Sequence, residues 1–217
     1  MSKFRQSLKF FGVILYIGGF FITTAVVTLV YAWRSPMSRR KILQPLQGFW
    51  CRKGLRLMGF QVNLEAWDFQ EGKNYLIVCN HLSYLDILIL AAHVNTSFVT
   101  SVEIKETPFL GLLTQIGGCL YVERRNRQNL VREISELTEA LKSGLNVTVF
   151  PEATSTNGES VLRFRRPLYE AAIQSGKPVK PLCLNYLRIN DKPLTRENRD
   201  DVFWYDDMPF FSHLWKL

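Results

Sequence analysis

From Phe10 to Trp33 the chain carries no charged side chain. At about 1.5 Å of rise per residue a helix of that length covers roughly 36 Å, against a hydrocarbon layer of about 30 Å. A helix so apolar on every side has no place on the surface of a small globular domain, and the sequence reading is a membrane helix. Lys3, Arg5 and Lys9 precede it, whereas Arg34, Arg39, Arg40, Lys41, Arg52, Lys53 and Arg56 follow it closely. That bias places the remainder of the chain on the cytoplasmic face. A cleavable leader, using Val30 and Ala32 as small residues at the cut, is the competing reading, but its apolar core would be only about 7–15 residues long. Gly18 and Gly19 offer a third, in which the segment dips into one leaflet and returns.

Residues 36–60 alternate cations with Ile42, Leu43, Leu46, Phe49, Trp50, Leu55 and Leu57, and are punctuated by Pro45, Gly48 and Gly54. This composition predicts a broken amphipathic helix at the lipid headgroup level, with a linker helix packed on a soluble domain as the alternative. The chain is thus expected to divide into a membrane anchor, 1–58, and a folded domain, 59–217. With 217 residues in all, 47% of them apolar, there is material for one core, and intrinsic disorder is excluded. The cysteines at 51, 79, 119 and 183 form no CxxC pair, which argues against a zinc ribbon or a disulfide scaffold.

Beyond residue 60, short β-rich runs alternate with helical stretches. Phe60–Glu65, Tyr75–Cys79, Ser97–Ser101, Cys119–Val122, Asn146–Phe150 and Val179–Leu184 read as strands. Leu130, Ile134, Leu137 and Leu141 recur at helical spacing, predicting a helix over Gln128–Lys142 that Gly144 ends. The expected fold class is α/β: a mostly parallel mixed sheet flanked by helices, with an N-terminal membrane-anchoring helical segment. In such sheets ligands bind beyond the carboxyl ends of strands. Two of the expected strands deliver polar groups there.

The first leads into NHLSYLD, Asn80 to Asp86. If His81 stands before the next helix, the turn can fold Asp86 back onto its Nδ1, leaving Nε2 to take a proton from a bound hydroxyl. Two other readings compete: Ser83 to Asp86 as a helix capping box, and Cys79 as a nucleophile with His81 as its base. The second strand leads into FPEATST, Phe150 to Thr156. Its Glu152, Thr154 and Ser155 can bind a polar headgroup or simply cap a helix.

Together these segments resemble the glycerolipid acyltransferase family typified by the 1-acylglycerol-3-phosphate acyltransferases. Asn80, His81 and Asp86 match its NHxxxxD motif, and Phe150 to Thr154 approximate FPEGT. Gly118 to Arg124 is similar to the family's G-x-hydrophobic-hydrophobic-hydrophobic-D-R segment, and Val179 to Leu182 to its late V-x-P strand. The resemblance covers residues 60–185 and implies a membrane-bound enzyme of phospholipid biosynthesis that moves a fatty acyl group from a thioester to a lysolipid hydroxyl. It makes His81 and Asp86 the catalytic pair, with Asn80, Arg124, Glu152, Ala153, Thr154 and Ser155 binding substrate. The partners it implies are membrane lipids, a lysolipid acceptor and acyl carrier protein or coenzyme A as the acyl donor. No cofactor and no metal are expected.

Three departures stand out. Ala153 replaces a glycine, Glu123 an aspartate, and Ser155 an arginine common among phosphate-using relatives. The first-choice acceptor is lysophosphatidic acid, giving phosphatidic acid, with lyso-ornithine lipid or another lysolipid as the alternative. Arg163, Arg165 and Arg166 form a basic cluster expected near the same face, contacting an acidic carrier protein, coenzyme A phosphates or anionic headgroups. Nucleic acid is set aside, since basic charge without a base-reading module is better explained by the membrane. His93 and His213 read as structural, and the aromatic stretch from Trp204 to Trp215 as either an interfacial contact or core. The chain ending is read as a short family member or a truncated product. A thioesterase lacking a G-x-S-x-G elbow and a non-catalytic lipid-binding protein are the remaining alternatives.

Overall fold

The computed structural model describes residues 3–123 and 129–217, and side chains throughout that range except those of residues 3–11, 13 and 14. Two long helices come first, α1 (Lys3–Val30) and α2 (Pro36–Leu57). Ser35 caps α2 by accepting the Ser38 N–H at 3.3 Å, and Pro36 opens its first turn. The helices form a hairpin. Tyr16 Oη donates to the Trp50 carbonyl at 2.9 Å, and Trp50 Nε1 donates to Thr23 Oγ1 at 3.0 Å. Gly19 does not interrupt α1; it makes room for an indole, since a Cβ there would stand 2.6 Å from Trp50 Cη2. The expected break at Gly18 and Gly19 is therefore absent. Leu15, Ile22, Val26 and Leu29 are exposed on α1 at spacings that share a face. Among the described residues no helix is long and apolar enough to cross a membrane.

The second helix also departs from expectation, being continuous through Pro45, Gly48 and Gly54. It packs along α3 (Leu85–His93) and buries Leu43, Gln44, Gln47, Gly48 and Leu55. Several of its polar side chains bond the sheet and the end of α3. Gln44 bonds Ser97 Oγ at 3.1 Å, Arg40 Nε donates to the Gly118 carbonyl at 3.1 Å, and Arg52 Nη1 to the Ala92 carbonyl at 2.7 Å. The helix is packed on the domain.

Five strands, β1 (Leu76–Cys79), β2 (Thr96–Ser101), β3 (Leu120–Val122), β4 (Asn146–Val149) and β5 (Val179–Leu182), make one parallel sheet in the order β3-β2-β4-β1-β5. Side-chain alternation along the strands divides the core between the two faces. Leu76, Val78, Val147 and Val149 pack against Leu137, Ala140, Leu141 and Ala171 of α6 (Leu130–Lys142) and α7 (Glu170–Ser175). Cys79 packs with Phe98 and with Leu90 and Ala91 of α3, while Ile77 joins Tyr75 and Val94. Gly144 follows α6 at φ 91°, as the expected stop requires; the expected first residue, Gln128, lies outside the described residues. Phe60–Glu65 is not a strand. Phe60 and Val62 instead pack on Leu55, Ile89 and Ala92 beneath the α2–α3 pair.

The strand order positions the site. From β1 the chain crosses through α3 to β2, and from β4 it crosses through α7 to β5, so neighbouring strands send their connections toward opposite edges. That is a topological switch point, where an open parallel sheet has its crevice. Asn80-His81 leaves β1 there and Pro151-Glu152 leaves β4. The remaining elements are α4 (Val102–Glu106), α5 (Leu110–Ile116), a short hairpin of β6 (Arg188–Ile189) and β7 (Lys192–Pro193), and α8 (Phe210–Lys216).

Candidate functional site

His81 precedes α3, and Asp86 lies in the first turn of that helix. The turn between them places His81 Nδ1 2.9 Å from Asp86 Oδ2. The same oxygen accepts the Leu82 N–H at 2.7 Å and the Ser83 N–H at 2.9 Å, and Oδ1 accepts the Tyr186 hydroxyl at 2.7 Å. Asp86 is 0% exposed and surrounded by donors, the setting of an ionised carboxylate. Nδ1 therefore donates, and in the neutral ring Nε2 keeps its lone pair. The capping and histidine-holding readings of Asp86 coincide, because one carboxylate oxygen closes the turn and orients the ring.

The imidazole stacks on Phe150, with centroids 3.9 Å apart and planes 13° from parallel. Its side chain is 17% exposed. Phe150 in turn stacks on Phe98 at 6.3 Å. The ring is thus wedged between the carboxylate and the residue that opens the glutamate loop. Cys79 is buried, with its thiol pushed up by that burial and by the Asp86 charge, and its sulfur meets Asn80 Oδ1 at 3.6 Å. A buried thiol held protonated is a poor nucleophile, which removes the support for that reading.

Asn80 forms a two-way link to the segment after β5: its Nδ2 donates to the Leu184 carbonyl at 3.0 Å and its Oδ1 accepts the Leu184 N–H at 2.8 Å. Its amide fastens the turn to the chain just past β5. Glu152 is buried, and its Oε2 accepts the Leu162 N–H at 2.8 Å. Ala153 has φ 61°, the left-handed conformation that favours glycine. Its N–H still closes the turn on the Phe150 carbonyl at 2.9 Å. Thr154 is exposed with Oγ1 on the Ser155 carbonyl at 3.3 Å, and Ser155 is half-buried. The Thr156 N–H donates to the His81 carbonyl at 3.0 Å and ties the loop to the turn that carries His81.

Arg163, Arg165 and Arg166 are exposed, and the Arg165 N–H donates to the Pro151 carbonyl at 2.8 Å, so the basic segment runs back beside the loop. Arg124 lies outside the described residues. The backbone before it is held by Glu133, whose carboxylate accepts the Glu123 N–H. A cavity of about 510 Å³ adjoins the site, with Asn80, Leu82, Glu152 and Thr156 in its wall. Among the described residues no group of His, Cys, Asp and Glu is arranged to hold a metal ion. His93 Nδ1 lies 2.8 Å from the Ile89 carbonyl, and His213, buried, lies 3.0 Å from Tyr84 Oη.

Tyr186 is the main residue that sequence reasoning missed. Burial and the Asp86 charge push its hydroxyl far above the usual tyrosine range, so it stays a donor. It follows β5 at a distance of 100 residues from its partner, and no local pattern marks it.

A family model described as Acyltransferase matches residues 61–185. The chain is 27% identical to a lyso-ornithine lipid O-acyltransferase of Rhizobium meliloti over 76% of this chain and 59% of the relative. It is 36% identical to the enzyme of that name from Pseudomonas aeruginosa over 67% of this chain and 55% of the relative. Against a 1-acyl-sn-glycerol-3-phosphate acyltransferase of Neisseria meningitidis it is 32% identical, covering 67% of this chain and 56% of the relative. The chain thus spans less than two thirds of the length of these relatives. The crystal structure of a 1-acyl-sn-glycerophosphate acyltransferase from Thermotoga maritima shares the fold, with a TM-score of 0.51 at 22% identity over 80% of this chain and 74% of that one.

Proposed function

The chain belongs to the acyltransferase family, and from that premise we propose that it transfers a fatty acyl group from a thioester to the free hydroxyl of a lysolipid at a membrane surface. His81 Nε2 takes the hydroxyl proton as the oxygen attacks the thioester carbonyl. The tetrahedral oxyanion then collapses, the carbon–sulfur bond breaks, and the imidazolium returns the proton to the leaving thiolate. Asp86 stays ionised throughout, holding the ring in one tautomer and stabilising its charged form. No acyl group is carried by the protein.

The observation that carries this reading is the Asp86–His81 contact at 2.9 Å, placed at the switch point beside a loop that the Thr156 N–H fastens to His81. Glu152 and Asn80 support the acceptor side by lining the adjoining cavity. The exposed Arg163, Arg165 and Arg166 suit an acidic donor, acyl carrier protein or the coenzyme A phosphates. The exposed apolar row on α1 supports membrane anchoring, with the cations that follow α1 facing the cytoplasmic leaflet.

The test is an acyl-transfer assay offering a panel of lysolipids, including 1-acylglycerol-3-phosphate and lyso-ornithine lipid, with acyl carrier protein and coenzyme A thioesters supplied separately. Transfer that depends on a lysolipid and is abolished by His81→Ala is expected. Fatty acid release without any acceptor, or turnover that survives the substitution, would overturn the mechanism.

A further inference from the structure

The cavity beside the catalytic turn carries four charged residues, Glu152, Glu159, Arg196 and Arg199, so the formal charge of its wall is zero. Two of these come from beyond residue 185, where the family match ends. They are set in place by a local device. The Asn198 side chain accepts the Thr195 N–H at 2.7 Å and donates to the Pro193 carbonyl at 3.0 Å, folding the segment into a compact turn. A few residues on, the Trp204 N–H donates to the Leu82 carbonyl at 2.9 Å, which fastens the same segment to the residue after His81.

Both guanidiniums converge on one carboxylate oxygen. Arg199 Nη1 lies 3.0 Å and Arg196 Nε 3.2 Å from Glu159 Oε1. Arg199 is the sheltered member, its side chain 15% exposed, while Arg196 is 80% exposed. Glu152 brings the second carboxylate, buried and oriented by the Leu162 N–H. Leu82, Leu194 and Phe203 supply apolar wall between the charges. The imidazole of His81 is not part of this wall, so a group seated here is held beside the base and not on it.

We propose that this cavity binds the headgroup of the acceptor and selects a zwitterion, one bearing an ammonium together with a carboxylate or phosphate. The proposal rests on the acyl-transfer reading and names the acceptor class for that same site. The ligand's anion takes the place of Glu159 on Arg196 and Arg199 as a charge-assisted acceptor, and its ammonium meets the carboxylates of Glu159 and Glu152. A phosphomonoester carrying only negative charge also finds the arginines, but it meets two carboxylates with nothing to offset them. The discrimination thus comes from repulsion of the wrong headgroup as much as from attraction of the right one. A cavity of about 510 Å³ has room for an amino-acid or ethanolamine headgroup with the first atoms of its lipid.

The experiment uses the full chain in mixed micelles, with one thioester donor and three acceptors: lyso-ornithine lipid, lysophosphatidylethanolamine and 1-acylglycerol-3-phosphate. The first two are zwitterionic from different sources, and the third is anionic. The expected result is a KM about tenfold lower for at least one zwitterion than for the anionic acceptor. Arg196→Ala is structurally mild, given that exposure, and raises the zwitterion KM about five- to tenfold with kcat nearly unchanged. Glu159→Gln moves the preference about tenfold toward the phosphomonoester. A wild-type preference for the phosphomonoester, or a KM indifferent to both substitutions, overturns the proposal. Equilibrium binding of lyso-ornithine lipid without donor separates the two readings. Binding weakened by Arg196→Ala in a protein that transfers to nothing keeps the pocket and sinks the chemistry, whereas transfer with unaltered binding does the reverse.

Discussion

Asn80 to Asp86 and Phe150 to Thr156 leave neighbouring strands at the same end of one sheet, yet the first is held at nearly every polar atom and the second is not. In the turn after β1, a single fully buried carboxylate gathers two backbone amides, an imidazole and a phenol, and Asn80 is locked to Leu184, just past β5, on both sides of its amide. In the loop after β4, Thr154 is exposed, Ala153 sits in a left-handed conformation, and the anchors are single bonds, Glu152 to the Leu162 N–H and the Thr156 N–H to the His81 carbonyl. Proton transfer tolerates little error in the position of the base, whereas headgroups differ and the surface that meets them can be looser. On the proposed mechanism, chemistry falls to the densely bonded turn and selection to the more sparsely bonded loop and the segment beyond it.

The hardest blow to the rigid turn is Asp86→Asn. The amide keeps roughly the shape but can present the wrong tautomer of His81, and turnover is expected to fall about 10³–10⁴-fold while the fold persists. Circular dichroism and a lysolipid acylation assay check both halves. A loss below tenfold would break the contrast, because it would make the carboxylate a helix cap and little else. Glu152→Ala is the counterpart in the loop. It removes the acceptor of the Leu162 N–H on an exposed residue, at a cost of about 0.5–1.5 kcal/mol, and is expected to raise the acceptor KM about tenfold with a smaller change in kcat. If kcat collapses instead, Glu152 belongs with the chemistry and the division drawn here is wrong.

Tyr186→Phe sharpens the same contrast from the second layer. Loss of one hydrogen bond to Asp86 is expected to lower turnover about three- to tenfold, an effect of about 1 kcal/mol. Its pH signature is separate. With the folded-state pKa of Tyr186 raised well above the ordinary tyrosine value by burial and by Asp86, folded and unfolded chains are equally protonated below about pH 10. Above that, the unfolded chain loses the proton and the folded one keeps it. Stability therefore falls with rising pH by about 1.4 kcal/mol per unit from this group alone. Denaturant titrations at pH 8 and pH 11 should show a smaller alkaline loss for the phenylalanine variant than for the wild type. Equal losses would mean the hydroxyl is not buried against a charge.

What the sequence discloses of this site follows how local each contact is. His81 and Asp86 are five residues apart, and turn geometry alone suggests that they meet. Tyr186 and the Arg196–Arg199 turn reach the site only through the order of the strands and the return of the chain past β5, so no spacing announces them. The central strands β1 and β4 are legible because each is a short β-rich run that is almost wholly buried, whereas the edge strand β5 leaves Val179 and Pro181 exposed. Phe60–Glu65 has the same composition, but its apolar residues pack beneath helices without joining a ladder. For α2 the misleading signal was its mixture of cations and apolar residues, which suits a lipid headgroup layer and equally suits a helix whose arginines bond backbone carbonyls at the end of α3 and before β3.

The smallest effect, and the one that speaks most directly to the looser loop, is Ala153→Gly. A left-handed alanine costs about 1–2 kcal/mol over a right-handed one, and at φ 61° Ala153 bears that cost. Glycine relieves it but gives the unfolded chain more freedom, which returns about 0.5–1 kcal/mol. The balance is a gain of about 0.5–1 kcal/mol, readable as a higher denaturant midpoint with an unchanged slope. Activity is expected to stay within about twofold, because the Ala153 N–H that closes the turn on Phe150 is a backbone group and survives the change. A destabilised glycine variant would mean that the methyl group packs against something worth more than the strain. The β4 loop would then be as firmly specified as the turn after β1.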